Sequence, residues 1–238
     1  MHLQKRTRKI LGSLSLNRAE RRKQQSTQNK KKSNKVADSR IITTLASGLY
    51  IENVFSESEC EKILSYRTEW KREDGKIERH SEGVSNLEYR RTTLYVPRRD
   101  DESVEWLIEK ITNIVNAGNS EPEMGWKFNI RGMMEPFCIM EYTEGSLHES
   151  GIDGHYAFHI DIGPEVIQSM RKISYSVILN DDYDGGLLNL KMGRQDNYPP
   201  QKKGDIIMFP SYMRHCVEPV TKGTRCAVVG WFHGPSFL

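Results

Sequence analysis

Cysteine is scarce and scattered in this chain. Its 238 residues include four, Cys60, Cys138, Cys216 and Cys226, with no Cys-x-x-Cys pair. Neither a disulfide framework nor a thiolate metal knuckle is indicated, and a reducing compartment, the cytoplasm, is the expectation. Long apolar runs are missing too. Stretches such as Ile206 to Phe209 fall far short of the ~20 residues that span a bilayer, so no membrane span is expected. The apolar segment from Ile10 to Leu16 is broken by Gly12, Ser13 and Ser15, which makes a poor secretory core. An organelle transit peptide, equally basic and acid-poor, stays open. Acidic residues are nearly absent from residues 1–40, which hold two, Glu20 and Asp38, against thirteen Lys and Arg. The same stretch has no Phe, Trp or Tyr and almost no large apolar residue after Leu16. It cannot bury enough surface to offset ordering entropy, and reads as a disordered basic arm. Its charge suits weak binding to a polyanion, be it nucleic acid, anionic membrane or acidic protein. With no aromatics to stack on bases and no nucleic-acid motif, a solvated tail without a specific partner is the other reading.

What remains, residues 41–238, is a different material. It carries twenty-two basic and thirty acidic residues, a net of −8, and all of the chain's 7 Phe, 4 Trp and 10 Tyr. That is enough apolar matter for one sizeable core. Residues 48–54 read as a strand, and Ser56 with Glu59 forms a capping-box signature for a helix placing Cys60, Ile63, Leu64 and Trp70 on roughly one face. Residues 89–96 read as a strand ended by Pro97. Residues 102–117 have the clearest helical period, through Val104, Leu107, Ile108, Ile111, Ile114 and Val115, with Gly118 just beyond. From Trp126 the period becomes two: Trp126, Phe128 and Ile130 alternate, then strands are expected over 137–142, 156–161, 173–179, 187–191, 205–209, 215–220 and 225–232. Many short strands after two helices predict a mainly β, α+β domain, a sandwich or barrel with helices packed outside.

The chemistry concentrates in few residues. In His159-Ile160-Asp161, strand geometry sends i and i+2 to one face, an imidazole beside a carboxylate. His215 is the candidate third ligand, and two histidines with one carboxylate on one face can hold Fe(II) with positions left open for O₂ and an organic acid. Alone, His-x-Asp is a weak signal, common by chance. Ten residues after His215 comes Arg225, which shares a strand face with Ala227, Val229 and Trp231. A guanidinium aimed into an apolar barrel needs an anion, and it is shaped to grip a carboxylate with two parallel hydrogen bonds. Other residues read as bland. His155 lacks the helix that an i, i+4 ligand pair needs. His148 and Glu149 fall in a polar stretch over 144–153, read either as a solvated loop or as a glycine-containing flap beside the metal. Cys216 flanks a ligand but points the other way.

The joint pattern resembles the iron(II)/2-oxoglutarate-dependent dioxygenases, in particular their prolyl 4-hydroxylase-like branch. The resemblance spans about residues 126–234. It rests on His159-x-Asp161, the Leu179-Asn-Asp-Asp-Tyr-Asp-Gly-Gly186 stretch, Gly204-Asp205 before Phe209-Pro210, His215, Arg225 and Trp231-Phe-His-Gly-Pro235. It implies a double-stranded β-helix, a jelly-roll or cupin-like barrel, with Fe(II) on His159, Asp161 and His215. Arg225 would pair with the distal carboxylate of 2-oxoglutarate, Tyr142 would line the cosubstrate pocket, and Trp231 would be an inward aromatic near the metal. Strand parity adds Ser174 and Ser176 to the pocket face. The implied reaction consumes O₂ and 2-oxoglutarate, with ascorbate a candidate reductant, and hydroxylates a C–H bond with release of succinate and CO₂. A peptidyl proline or other protein side chain is the favoured substrate. A free amino acid or small metabolite stays open, as does a catalytically silent metal-binding module whose working part is the arm. Oligomeric state is not legible.

Overall fold

A computed structural model of the chain describes residues 48–75, 86–98, 100–123 and 125–237. The basic arm over 1–40 lies outside the described residues. Among the described residues fourteen strands and three α-helices follow one another. After β1 (Leu49–Ile51) come α1 (Glu57–Ser65), β2 (Lys71–Asp74), β3 (Arg90–Arg91) and β4 (Thr93–Val96). Then come α2 (Glu105–Ser120), β5 (Cys138–Thr143), β6 (His155–His159), α3 (Val166–Ser169) and β7 (Arg171–Ile178). The chain continues through β8 (Asp184–Gly185), β9 (Leu188–Met192), β10 (Gln195–Asn197), β11 (Ile206–Pro210), β12 (His215–Val217), β13 (Val220–Lys222) and β14 (Thr224–His233).

Two antiparallel sheets carry the architecture. The larger has the order β1-β11-β7-β14-β5-β4-β2, the smaller β10-β9-β12-β6-β3. From β5 onward the chain crosses repeatedly between the two sheets, which is the winding of a double-stranded β-helix, with the helices outside it as expected. The larger sheet is apolar on both faces because it has two neighbours. Ile173, Tyr175 and Val177 of β7, with Cys226, Val228 and Phe232 of β14, join the cluster that includes Cys60, Ile63, Leu107, Ile111 and Val115 of the helices. The alternate residues Ile178 and Ala227 turn inward to a second cluster with Leu188, Leu190 and Val217 of the smaller sheet. Parity therefore sends Ser174 and Ser176 toward the barrel interior, and Tyr175 and Val177 under the helices.

The capping box of α1 forms: Glu59 N donates to Ser56 Oγ at 3.3 Å, and Ser56 N to a Glu59 carboxylate oxygen at 2.7 Å. Several elements differ from the sequence reading for identifiable reasons. Helix α2 runs through Gly118 to Ser120, since that glycine serves approach: a Cβ there would sit 2.8 Å from Met208 Cε on β11. Residues 126–130 are not a strand. Lys127 adopts φ 56°, which no pleat accommodates, and the Asn119 amide holds the Phe128 backbone in both directions at 2.9 Å. The expected strand over 215–220 is split into β12 and β13 where Pro219 has no N–H to give. Strand β6 stops at His159, where its register with β12 ends. Asp161 thus lies beyond the strand that was expected to hold it.

Candidate active site

The barrel interior carries its chemistry on β6, β12 and β14. His215 and His159 are direct partners across the antiparallel β12–β6 pair, so register alone brings the imidazoles together, their centroids 4.2 Å apart. Each ring is oriented by its own strand: His159 Nδ1 meets Ala157 O at 2.8 Å and His215 Nδ1 meets Met213 O at 2.9 Å. A proton on Nδ1 leaves Nε2 with its lone pair, the arrangement a metal ligand needs. Tyr156 lies flat on His159 at 3.6 Å, and Phe209 packs against His215 at 4.6 Å.

Both Nε2 atoms point at Asp161, 3.6 Å from its Oδ1 for His159 and 3.5 Å from its Oδ2 for His215. One ligand atom from each of the three residues falls within 4.8 Å of the others. Burial pushes the His215 imidazole down to about 4, so it is neutral at physiological pH. Burial opposes charge on Asp161, yet the facing imidazoles and the Ser174 hydroxyl hold its carboxyl well below the usual carboxylate range. One carboxylate and two imidazoles that turn Nε2 toward it are the donor set that a divalent iron takes.

Arg225 sits on β14 opposite Tyr142 of β5, its guanidinium 5.5 Å from the Tyr142 ring. It is 1% exposed, and its Nε and Nη2 are buried with no hydrogen-bond partner among the described residues. A guanidinium so buried, with two donors unmet among the described residues, is suited to pair with an anion. Gly186, at φ +61°, makes room for it: a Cβ there would meet Val220 Cγ2 at 2.7 Å and Arg225 Cδ at 3.1 Å. Gly186 of the Asp184-Gly-Gly186 stretch thus leaves room for the Arg225 side chain.

A cavity of about 890 Å³ joins these parts, its wall including His159, Asp161, His215, Arg225, Tyr142, Ser176 and Trp231. Ser174 sits behind the wall, its Oγ 2.5 Å from Asp161 Oδ2. The side chains of His155, His148 and Cys216 stay out of it. Both nitrogens of His155 meet backbone carbonyls, of Asp153 and Glu88. The stretch over 144–153 contributes nothing to the cavity wall. It is tied at the Arg225 end of the barrel, through Glu144 to both backbone groups of Gly223 and through Gly145 N to Asp153 at 2.7 Å. The flap reading of that stretch is therefore corrected. The strands that flank it run in the direction that puts it at the opposite end from Trp231. The wall takes instead from Ile160, Ile162, Gly163, Pro164 and Gln168, and from Lys71, Glu73 and Asp74 of β2.

Sequence reading missed a second layer. Arg171 gives Nε and Nη2 to Glu135 at 2.6 Å each, lies 3.7 Å over the Trp231 ring, and donates Nη1 to Asp161 O at 2.9 Å. His233 Nε2 meets the same Glu135 at 2.8 Å. Burial alone would raise Glu135, but His233 and Arg171 bring it down to about 2. These residues are 98 and 36 positions apart from Glu135, with no shared motif to signal them.

Residues 145–233 match the family model described as the 2OG-Fe(II) oxygenase superfamily. A PKHD-type hydroxylase of Sphingopyxis alaskensis is 30% identical over 162 residues, covering 66% of this chain and 65% of that protein. One from Synechococcus sp. strain CC9902 is 32% identical over 102 residues, 42% of this chain and 46% of that protein. The chain thus spans about half to two thirds of these relatives. Among solved structures, a Pseudomonas putida prolyl-4-hydroxylase superposes with a TM-score of 0.60 at 15% identity, over 84% of this chain and 99% of that one. A Trichoplax adhaerens prolyl hydroxylase, in complex with a hypoxia inducible factor peptide fragment, gives 0.63 at 19% identity, over 88% and 92%.

Proposed function

Because the chain belongs to the 2OG-Fe(II) oxygenase superfamily, on its prolyl 4-hydroxylase-like branch, we propose that its body, residues 41–238, hydroxylates a protein or peptide side chain. Fe(II) and 2-oxoglutarate are the cofactor and cosubstrate the family and the donor set imply. Iron at this site supplies reduction of O₂ coupled to oxidative decarboxylation of 2-oxoglutarate, one oxygen atom going to succinate and the other to the substrate C–H bond. The chain's residues do the rest. His159, Asp161 and His215, which all line the cavity, would hold the metal. Arg225 meets the distal carboxylate, whose charge ends the solitude of the guanidinium. Tyr142 and Ser176 flank that anion, and Trp231 walls the space above.

The observation that carries this reading is the buried, partnerless guanidinium sharing one cavity with the His-Asp-His cluster. A silent metal-binding module would gain nothing from that cost. A peptide substrate is favoured over a small metabolite because the cavity wall extends to β2 and the 160–164 segment, and because the Trichoplax structure holds a peptide. Anaerobic loading with Fe(II) and 2-oxoglutarate, then O₂, should yield succinate, with increased yield and a +16 Da product when the right proline-containing peptide is present. Metal and cosubstrate binding without any succinate would overturn the enzyme in favour of the silent module. Ascorbate enters as a reductant that prolongs turnover when substrate is absent, seen as a slower decline of the succinate rate.

Two further parts of the proposal concern the arm and the surroundings. All four cysteines are free and buried, and burial raises their thiols to about 11 or 12, which suits a reducing cytoplasm. Among the described residues no helix is long and apolar enough to cross a membrane. The arm over 1–40 acts electrostatically, holding polyanions weakly. Its deletion changes the formal charge from +3 to −8. We expect that truncation to abolish retention on a heparin column at low salt and to leave succinate formation and melting temperature nearly unchanged. A truncated chain that fails to fold would make the arm structural.

A further inference from the structure

The metal site proposed above has one ligand that the sheet does not hold. His159 and His215 are strand residues fixed by their mutual register, whereas Asp161 stands in a bend beyond β6. A carboxylate on irregular backbone can swing about its side-chain torsions and can offer one oxygen or two. If both oxygens chelated the metal, one of the positions needed for O₂ and the keto acid would be lost.

Three contacts take the place of the missing ladder. Asp161 N donates to Ser211 O at 2.9 Å. Arg171 Nη1 donates to Asp161 O at 2.9 Å, itself held by its two bonds to Glu135. The third contact acts on the carboxylate: Ser174 Oγ donates to Oδ2 at 2.5 Å and lies 3.0 Å from Ser211 Oγ. A hydroxyl has one proton, and of the two acceptors that Ser174 Oγ faces, Ser211 Oγ and the carboxylate, the ionised and nearer carboxylate is the stronger. Ser174 is 1% exposed and Ser211 is fully buried, so water does not compete for either hydroxyl.

We propose that Ser174, backed by Ser211, is a positioning residue for Asp161: it ties Oδ2 and so presents Oδ1 as the single metal donor. The inference rests on the metal-site reading and deepens it. It also gives Ser174 a role distinct from that of Ser176, which stands on the cavity wall two residues further along the same strand face.

The test uses Co(II), whose visible bands report coordination number, titrated into the full-length metal-free protein, with circular dichroism melting as the control for folding. Ser174→Ala should weaken Co(II) binding 10- to 100-fold, the range for loss of a ligand's supporting hydrogen bond. It should also change the band shape as the freed carboxylate chelates. The metal-free melting temperature should stay within a few degrees. Ser174→Thr, which keeps the hydroxyl, should restore most of the affinity, and Ser211→Ala should weaken binding by a smaller factor. Wild-type affinity and wild-type bands in Ser174→Ala would overturn the proposal while leaving the metal site standing. A loss that merely tracks a collapse in melting temperature, with Ser211→Ala unaffected, would assign Ser174 to the fold alone. Failure of the wild-type chain to bind Co(II) would remove the metal-site reading itself.

Discussion

Alanine at His159, Asp161 or His215 should reduce bound iron to background and abolish succinate formation, in a chain that still folds. Each change leaves two ligands where the facial arrangement needs three. Loss of one ligand should cost more than the 10- to 100-fold seen when a ligand loses its supporting hydrogen bond. The effect on the fold should be modest. Removing His215 leaves Asp161 short of one buried neighbour, a penalty of roughly 1–3 kcal/mol, and a domain of this size shifts by ~2–4 °C per kcal/mol. Asp161→Glu separates charge from geometry. It keeps the carboxylate but pushes it one methylene past the Ser174 hydroxyl and the two imidazoles, so iron should bind weakly and turnover should be lost. Iron analysis on the purified variants, beside a succinate assay, decides the matter. A variant with full iron content and wild-type turnover would remove its residue from the ligand set.

How much of this was legible in the sequence depends on which forces place each group. The strand faces of β7 and β14 could be read from parity, because a pleat sends Arg225, Ala227, Val229 and Trp231 one way whatever else surrounds them. The pairing of His159 with His215 could only be guessed at from residue types, since it depends on a register between strands more than fifty residues apart. Where parity assumed more strand than exists, it gave a right neighbour for a wrong reason. Asp161 does stand beside His159, but through Ser211, Arg171 and Ser174, not through a pleat. Local periodicity failed at 126–130 because one residue, Lys127, has left-handed backbone, and no alternation of apolar side chains reports that. Strand β2 escaped notice for the opposite reason: Lys71 to Asp74 are all exposed and polar, so nothing in their pattern marks an edge strand. The Glu135–Arg171–His233 cluster is the least legible part. It joins three polar residues from three segments, and such a contact exists only once the barrel has closed.

Arg225→Leu should show opposite effects on stability and on cosubstrate binding. In the metal-free, ligand-free protein the guanidinium is buried and two of its donors have no partner among the described residues, so an uncharged leucine should leave the fold as stable or raise its melting temperature. With 2-oxoglutarate present the order reverses. Truncating one partner of a desolvated charge pair costs ~2–5 kcal/mol, which at ~1.4 kcal/mol per decade weakens the anion by about thirtyfold or more. The melting-temperature rise that saturating 2-oxoglutarate gives the wild type through mass action should therefore vanish in the variant at the same concentration. Iron affinity should change little, because Arg225 touches none of the three ligands. Arg225→Lys should fall between the two, keeping the charge but losing the planar pair of donors that fits a carboxylate. Paired melting curves, with and without 2-oxoglutarate, read both effects at once. A variant that is destabilised without ligand yet saturates at the wild-type concentration would mean that Arg225 holds the barrel together and that the anion binds elsewhere.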